Sequence, residues 1–373
     1  MKILFILDLY NPHIWGVEIL FENIISRLTS AWNDIVILTS KYDKSLKKYE
    51  KNGNIEIYRV WNNRYDFMIF SIFKWIKLAK KVDLIHTTTY NSAIPSSIIW
   101  FIAWKKVILT VHEIFWQLWY KFMWWKWFFF KLFESLIFKF PYEKYICVSN
   151  YTKNSLRISF WLDDSKLITV YNWIDYSFWN RDNFDNQKYS QLRKDLGLQN
   201  NYVWLFYGRP GISKWLEYYI KAIPEIIKKV PEFKALLIVP HSSNNPIIKI
   251  ENLIDDLEIR DNIILIPGIL NSLLPNYILL SDFVIIPSLV EWFWFAIAEV
   301  SALEKNLITT EVSAIPEVAS WNINFIEAWN ISDIVKKVIN FKNNIFIKIP
   351  KKEFNWEKNI EKTLDIYKKV LWK

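Results

Sequence analysis

The sequence predicts an α/β protein of two parallel-sheet domains, on three observations. At 373 residues the chain is too long for one ordinary core and suits two. Short apolar runs alternate with longer amphipathic ones along its length, the pattern of βαβ units. The alternation breaks at the polar, turn-prone run from Asn180 to Gln187, where a domain boundary is expected.

In the first half the apolar runs Ile3–Leu7, Asp34–Thr39, Ile55–Val60, Asp83–His86, Lys106–Thr110, Lys144–Val148 and Leu167–Val170 read as strands. Val17–Leu28, Ile69–Lys80 and Asn150–Ser159 carry helical periodicity between them. In the second half the strands are Tyr202–Tyr207, Ala235–Val239, Ile263–Ile266, Phe283–Pro287 and Leu307–Thr310, with helices from about Trp215 to Val230 and from about Phe295. The tail Phe354–Trp372 is helical, with Ile360, Leu364, Tyr367 and Leu371 on one face. The expected domains are 1–180, 181–352 and a terminal helix 353–373 packing back on the first.

Hydrophobic residues at 52% and charged residues at 23% exclude a disordered chain. The net charge of +9 points to anionic partners: nucleic acid, an anionic membrane surface or phosphorylated small molecules. Cys147, the single cysteine, lies in an apolar run and reads as a small core residue of a reducing compartment. Four histidines and one cysteine offer no zinc pattern. The apolar start Ile3–Leu7 is too short for a signal peptide. The uncharged stretch Leu84–Trp104 is long enough to span a membrane, but Thr87, Thr88, Thr89, Asn91, Ser92, Pro95, Ser96 and Ser97 interrupt it. A strand, loop and helix explain it better.

Four loops carry the chemistry. Asn11–Glu18 follows the first strand, where a turn opening a helix can hold an anion or be an ordinary connection. Thr110-Val111-His112-Glu113 ends a strand, and His112 there could bond a sugar hydroxyl, stabilise charge or be structural. Tyr207-Gly208-Arg209-Pro210-Gly211-Ile212-Ser213-Lys214 precedes a helix; a glycine-flanked Arg–Lys pair fits a diphosphate, or a solvated basic turn. In Pro287-Ser288-Leu289-Val290-Glu291-Trp292-Phe293-Trp294-Phe295-Ala296-Ile297-Ala298-Glu299, two carboxylates eight residues apart straddle a helix start. That helix end could face a phosphate while the carboxylates hold sugar or ribose hydroxyls.

In order and content these motifs resemble glycosyltransferase family 4. That family pairs glycines after its first strand and carries Thr-x-His-[Asp/Glu] and Asn-Gly-[Ile/Val]-Asp. Its second half carries Gly-Arg…Lys-Gly-x-Glu, Pro-Ser-x-x-Glu-Gly-Phe-Gly-x4-Glu and a late Pro-Glu. The counterparts are Trp15-Gly16, Thr110–Glu113, Asn172-Trp173-Ile174-Asp175, Gly208-Arg209…Lys214-Trp215-Leu216-Glu217, Ser288…Glu299 and Pro316-Glu317. The resemblance covers essentially the whole chain. It implies a GT-B fold, two Rossmann-like domains facing a central cleft. It also implies a retaining, hexosyl-type transferase moving sugar from a nucleoside diphosphate sugar to a glycan or lipid-linked acceptor.

By that resemblance the catalytic residues are His112 and Glu291, with His112 contacting the sugar and Glu291 holding it. The donor-binding residues are Gly16, Arg209, Lys214, Phe293, Trp294, Phe295, Ala296 and Glu299. Arg209 and Lys214 neutralise the diphosphate, the backbone from Phe293 to Ala296 and the loop at Gly16 cradle it, and Glu299 takes the ribose hydroxyls. No metal and no cofactor are expected. The implied setting is cytoplasmic, at or near the inner face of the cell membrane, in polysaccharide or cell-envelope assembly. The aromatic, basic stretch Trp116–Phe140 offers a peripheral contact with anionic membrane.

The departures are of one kind. Trp15, Trp173, Trp215, Trp292 and Trp294 stand at family glycine positions, and Trp32, Trp104, Trp161 and Trp321 in turns where glycine is usual. The chain has 6 glycines and 22 tryptophans, where about 7% glycine is usual. UGA is read as glycine in some bacterial lineages and as tryptophan in others, so an alternative genetic code accounts for the pattern. If the tryptophans are genuine, the donor site is expected to be blocked. Competing readings are a GT-B epimerase or an inactive relative, and an aromatic, basic nucleic-acid binder. The last leaves the tryptophan positions and the strand–helix alternation unexplained, so no nucleic-acid partner is expected.

Overall fold

The structure, a computed structural model, describes the chain except residues 14–15, 32, 61–65, 69–71, 117–118, 123–125, 209–213, 241–245, 294 and 373. It forms two units, Met1–Asn172 with Trp356–Lys373, and Trp173–Asn355.

The first unit runs β1 (Lys2–Ile6), α1 (Gly16–Ser30), β2 (Asp34–Ser40), β3 (Tyr49–Asn52), β4 (Ile55–Val60), α2 (Ile72–Ala79), β5 (Leu84–Thr88), α3 (Ala93–Ala103) and β6 (Val107–Val111). It continues through α4 (Trp119–Phe122), α5 (Trp127–Lys139), β7 (Lys144–Cys147), α6 (Asn150–Phe160) and β8 (Leu167–Thr169). The sheet order is β3-β4-β2-β1-β5-β6-β7-β8. Every pairing is parallel except that of β3 with β4. Strands β1, β5 and β6 are buried on both faces, as a sheet covered by helices requires, and β1 and β6 are largely apolar.

The second unit runs α7 (Asn186–Asp195), β9 (Tyr202–Tyr207), α8 (Leu216–Lys229), β10 (Phe233–Ile238), α9 (Pro246–Asp256), β11 (Ile263–Ile266), α10 (Leu274–Leu280), β12 (Phe283–Ile286) and α11 (Phe295–Ala302). It ends with β13 (Leu307–Thr310), α12 (Ile315–Val318), β14 (Trp321–Ile326), α13 (Ile331–Lys342) and β15 (Ile347–Ile349). Its sheet order is β11-β10-β9-β12-β13-β14-β15, parallel except for the β14–β15 pair. Trp204, Phe206, Tyr219, Ile223, Phe233 and Leu237 centre its core. The last helix, α14 (Trp356–Leu371), belongs to the first unit. There the Tyr367 hydroxyl lies 2.5 Å from His86 Nδ1, and Lys106 donates to the Val370 carbonyl at 2.6 Å.

Strands β3, β14 and β15 are absent from the sequence reading. Tyr49–Asn52 and Ile347–Ile349 are edge strands with mostly exposed residues, so no apolar run marks them. Asn322 and Asn324 interrupt the apolar pattern of β14.

Nine non-glycine residues among those described have positive φ, and five are tryptophan: Trp104 (51°), Trp161 (57°), Trp215 (57°), Trp321 (79°) and Trp329 (70°). A bulky residue pays about 1–2 kcal/mol in this left-handed region, which glycine enters freely. Four of these tryptophans are among those singled out from sequence. Trp173 and Trp292 have ordinary φ, and Trp329 had no motif to mark it. Trp161 shows the geometry plainly: it caps α6 in the left-handed conformation, donating its N–H to the Arg157 carbonyl at 3.1 Å, while 91% of its surface is exposed.

Candidate functional site

In the second sheet the chain leaves β9 for β10 on one side and reaches β12 on the other. Strand order therefore reverses between β9 and β12, and the crevice beyond their carboxyl ends is where open parallel sheets take ligands. The segments that follow these two strands hold the predicted donor residues of the second unit. Gly208 ends β9 at φ 135°, a conformation only glycine adopts freely, with its N–H on the Ile238 carbonyl at 3.1 Å. Lys214 stands just before α8, which starts at Leu216.

Lys214 Nζ and Glu291 Oε1 meet at 2.5 Å, joining the loop after β9 to the loop after β12. Both side chains are largely buried, at 23% and 12% exposure. The Glu291 backbone carbonyl accepts the Ala314 N–H at 2.9 Å, which anchors its loop to the segment after β13. Burial pushes the Glu291 carboxyl above the usual carboxylate range, and the Lys214 ammonium draws it back.

Helix α11 starts at Phe295, so the amides of Phe295 and Ala296 sit in its first turn, where N–H groups have no intrahelical acceptor. Phe293, just before it, is buried and packs edge-on against Phe295 at 5.6 Å. One turn on, Glu299 Oε2 lies 3.1 Å from the Tyr207 hydroxyl, at the end of β9. That hydroxyl also faces the Ala296 carbonyl at 3.1 Å. One phenolic proton therefore faces two acceptors, a shortage that a protonated Glu299 relieves. Burial pushes Glu299 up to about 7. Tyr207 opens the segment quoted around Arg209 and Lys214, but as the last residue of an apolar strand it had no role assigned from the sequence.

The raised Glu299 pKa has a direct consequence. Folding favours the protonated form, so its stabilising contribution is full below about pH 4.5 and is lost as pH rises through 7. Glu299→Gln is expected to remove this slope, worth on the order of 3 kcal/mol across the window. Urea unfolding from pH 4.5 to 8 reads it, and parallel curves for the two proteins would contradict the assignment.

In the first unit, Gly16 opens α1, after β1. His112 follows β6 directly. Burial lowers its pKa to about 4, so it is a neutral imidazole at physiological pH and does not act as a standing cation. Its ring packs edge-on against Phe21 at 5.8 Å, and its buried Nε2 has no hydrogen-bond partner among the described residues. Beneath it, His86 Nε2 lies 2.6 Å from Thr110 Oγ1, and burial drives His86 down to about 3. Glu134 of α5, unmarked in the sequence, is fully buried. It accepts from the Phe115 N–H at 2.8 Å, the Tyr90 hydroxyl at 2.9 Å and Trp119 Nε1 at 3.0 Å, fixing the loop that follows His112.

Arg209 and Trp294 lie outside the described residues, as do Trp15 and Trp32. No cluster of three or more His, Cys, Asp or Glu that could hold a metal occurs among the described residues. No helix there is long and apolar enough to cross a membrane.

Residues 14–178 match the family described as Glycosyltransferase Family 4, and residues 189–368 that described as Glycosyl transferases group 1. An uncharacterized glycosyltransferase of Methanocaldococcus jannaschii is 22% identical over 99% of this chain and 98% of its own length. The solved glycosyltransferase of Rickettsia africae superposes with TM-score 0.74 at 18% identity, over 99% of this chain and 98% of that one. The sucrose-phosphate synthase of Thermosynechococcus elongatus gives 0.76 at 15%, over 99% of both chains. Anabaena HepE, solved with UDP-glucose, gives 0.72 at 15%, over 100% of this chain and 95% of that one. These likenesses establish a GT-B α/β fold.

Proposed function

The chain belongs to glycosyltransferase family 4, and from that premise we propose that it transfers sugar from a nucleoside diphosphate sugar, with retention of configuration, to a glycan or lipid-linked acceptor. The observation that carries this reading is the Lys214–Glu291 pair at 2.5 Å where the order of the second sheet reverses. A cation there meets a leaving diphosphate, and a carboxylate beside it accepts sugar hydroxyls. The first-turn amides of α11 supply further donors to phosphate.

In this reading Lys214, with Arg209, neutralises the charge that develops on the diphosphate as its bond to the anomeric carbon breaks. Glu291 holds the donor sugar and Glu299 the ribose hydroxyls. His112, neutral and with an Nε2 that has no partner among the described residues, bonds a sugar hydroxyl. Retention follows from acceptor attack on the face the diphosphate leaves, with a diphosphate oxygen taking the acceptor proton. Neither a metal nor a cofactor is required by this scheme. The proposed setting is the cytoplasmic side of cell-envelope assembly.

Thermal melting with UDP, GDP and ADP tests the donor site. A nucleotide bound only by the folded protein at a hundredfold excess over its Kd adds about 2.7 kcal/mol. A rise with one nucleotide identifies the donor class. No rise with any of them, in the protein with glycine restored at the five family positions, would overturn the reading in favour of an inactive relative. Trp215 and Trp292, 5% and 8% exposed, motivate that second reading for the chain as written.

A further inference from the structure

Where the β3–β4 pair meets α2, the first unit holds a cavity of about 430 Å³ lined by Lys48, Tyr49, Tyr58, Arg59, Val60 and Lys74. Small-molecule sites occupy roughly 300–1,000 Å³. The sequence builds this one locally. Gly53, at φ 58°, turns the chain between β3 and β4. The antiparallel register then sets Tyr49 opposite Tyr58, with ring centroids 4.9 Å apart. The Arg59 N–H donates to the Lys48 carbonyl at 2.9 Å, which holds those two residues side by side. Lys74, in the first turn of α2, places Nζ 4.8 Å from the centre of the Tyr58 ring.

Three cations line the cavity, and no Asp or Glu is among its described lining residues. Arg59 is only 5% exposed. Its Nη1 pairs with Glu50 at 2.5 Å and its Nη2 donates to the Asn11 carbonyl at 2.9 Å. Its buried Nε has no hydrogen-bond partner among the described residues. Glu50 thus answers one of the three positive charges. The other nearby acid, Glu56, accepts from the Tyr58 hydroxyl at 2.8 Å and faces Lys2 at 3.7 Å. A guanidinium taken out of water with a donor unspent, flanked by two exposed lysines, favours a further anion.

We propose that this cavity binds an acidic saccharide, a sugar that carries a carboxylate or a phosphate. The tyrosine pair forms an aromatic wall, with Tyr49 47% exposed, on which the C–H face of a pyranose ring packs. Lys48 and Lys74 meet the anionic substituent as point charges, and Arg59 adds its field from the buried side. A neutral sugar leaves that charge unanswered, and a bare phosphate leaves the aromatic wall empty, so recognition needs both features in one molecule. The site consists of first-unit residues alone. Its consequence for catalysis, selection of an acidic acceptor, rests on the transfer reading given above; the binding does not.

Calorimetric titration of the full chain with glucuronate, glucose 6-phosphate, glucose and inorganic phosphate is the test. Glucuronate or glucose 6-phosphate is expected to bind at least tenfold more tightly than glucose and than inorganic phosphate. Lys48→Ala/Lys74→Ala, at two exposed positions, is expected to melt as the parent does and to lose at least tenfold in affinity for that sugar. Lys48→Arg/Lys74→Arg should keep most of it, and Tyr49→Ser should weaken the sugar at least fivefold while leaving inorganic phosphate unchanged. Four results would each overturn the proposal: no acidic sugar bound, glucose bound as tightly, phosphate bound as tightly, or an alanine variant with the parent's affinity. Titration in excess UDP separates this cavity from the donor site. Displacement of the sugar by UDP would place it at the donor site and sink the inference, whereas a failure of UDP to raise the melting point counts against the transfer reading alone.

Discussion

Changing Trp15, Trp173, Trp215, Trp292 and Trp294 together to glycine is expected to raise nucleotide affinity about a hundredfold. Glycine lets phosphate approach the backbone, and two charge-assisted N–H contacts regained are worth roughly 3 kcal/mol in all. Trp215 shows what the change would remove. It stands at φ 57° immediately before α8, is 5% exposed, stacks on Tyr218 at 4.4 Å and meets Trp329 edge-on at 3.8 Å. Trp329 has positive φ as well, so the contact joins two strained residues. Calorimetric titration with the nucleotide that raises the melting point reads the effect, and unchanged affinity would sink it.

The same reasoning extends to stability. Trp104 and Trp161, 88% and 91% exposed, lose no packing when changed to glycine. Each change is expected to stabilise by about 1 kcal/mol after glycine's larger unfolded-state entropy is deducted. For the first unit that is roughly 2–4 °C per change. The alternative-code explanation makes a separate statement about the gene: TGG at Trp15, Trp173, Trp215, Trp292 and Trp294 rules it out.

The second large effect concerns Lys214. In the glycine-restored enzyme, Lys214→Ala is expected to lower kcat by a factor of about 10²–10³, the usual loss of one group that stabilises transition-state charge. KM for the donor should change less, because a further negative charge develops on the diphosphate as its bond breaks and Lys214 acts most on that added charge. The substitution also strands Glu291, whose carboxyl burial already pushes upward. Lys214→Arg should recover part of the rate by restoring the charge. Steady-state kinetics with the donor named by the melting experiment measure this, and full activity in the alanine variant would remove Lys214 from the mechanism. Arg209→Ala is expected to behave alike.

What could be read from the chain reflects how local each signal is. Apolar runs such as Val107–Val111 and Phe283–Ile286 are buried strands because a covered parallel sheet admits little else, so two α/β units were legible. Lys214, Glu291 and Glu299 could be singled out from the sequence because they stand in segments after strand ends that resemble the family's motifs. Tyr207 and Glu134 were not: one is hidden in an apolar strand and the other in an aromatic helix, and their roles come from partners far along the chain.

By itself, then, the sequence determined the element order, the loops that carry chemistry and the surplus of tryptophan where glycine is needed. These follow from periodicity and residue type over a few neighbours. Only the tertiary structure decided that Lys214 and Glu291, 77 residues apart, form an ion pair, that His112 is held neutral, and that Glu134, the one acid of α5, faces inward. Those facts depend on strand order and burial, which bring distant residues together and remove them from water.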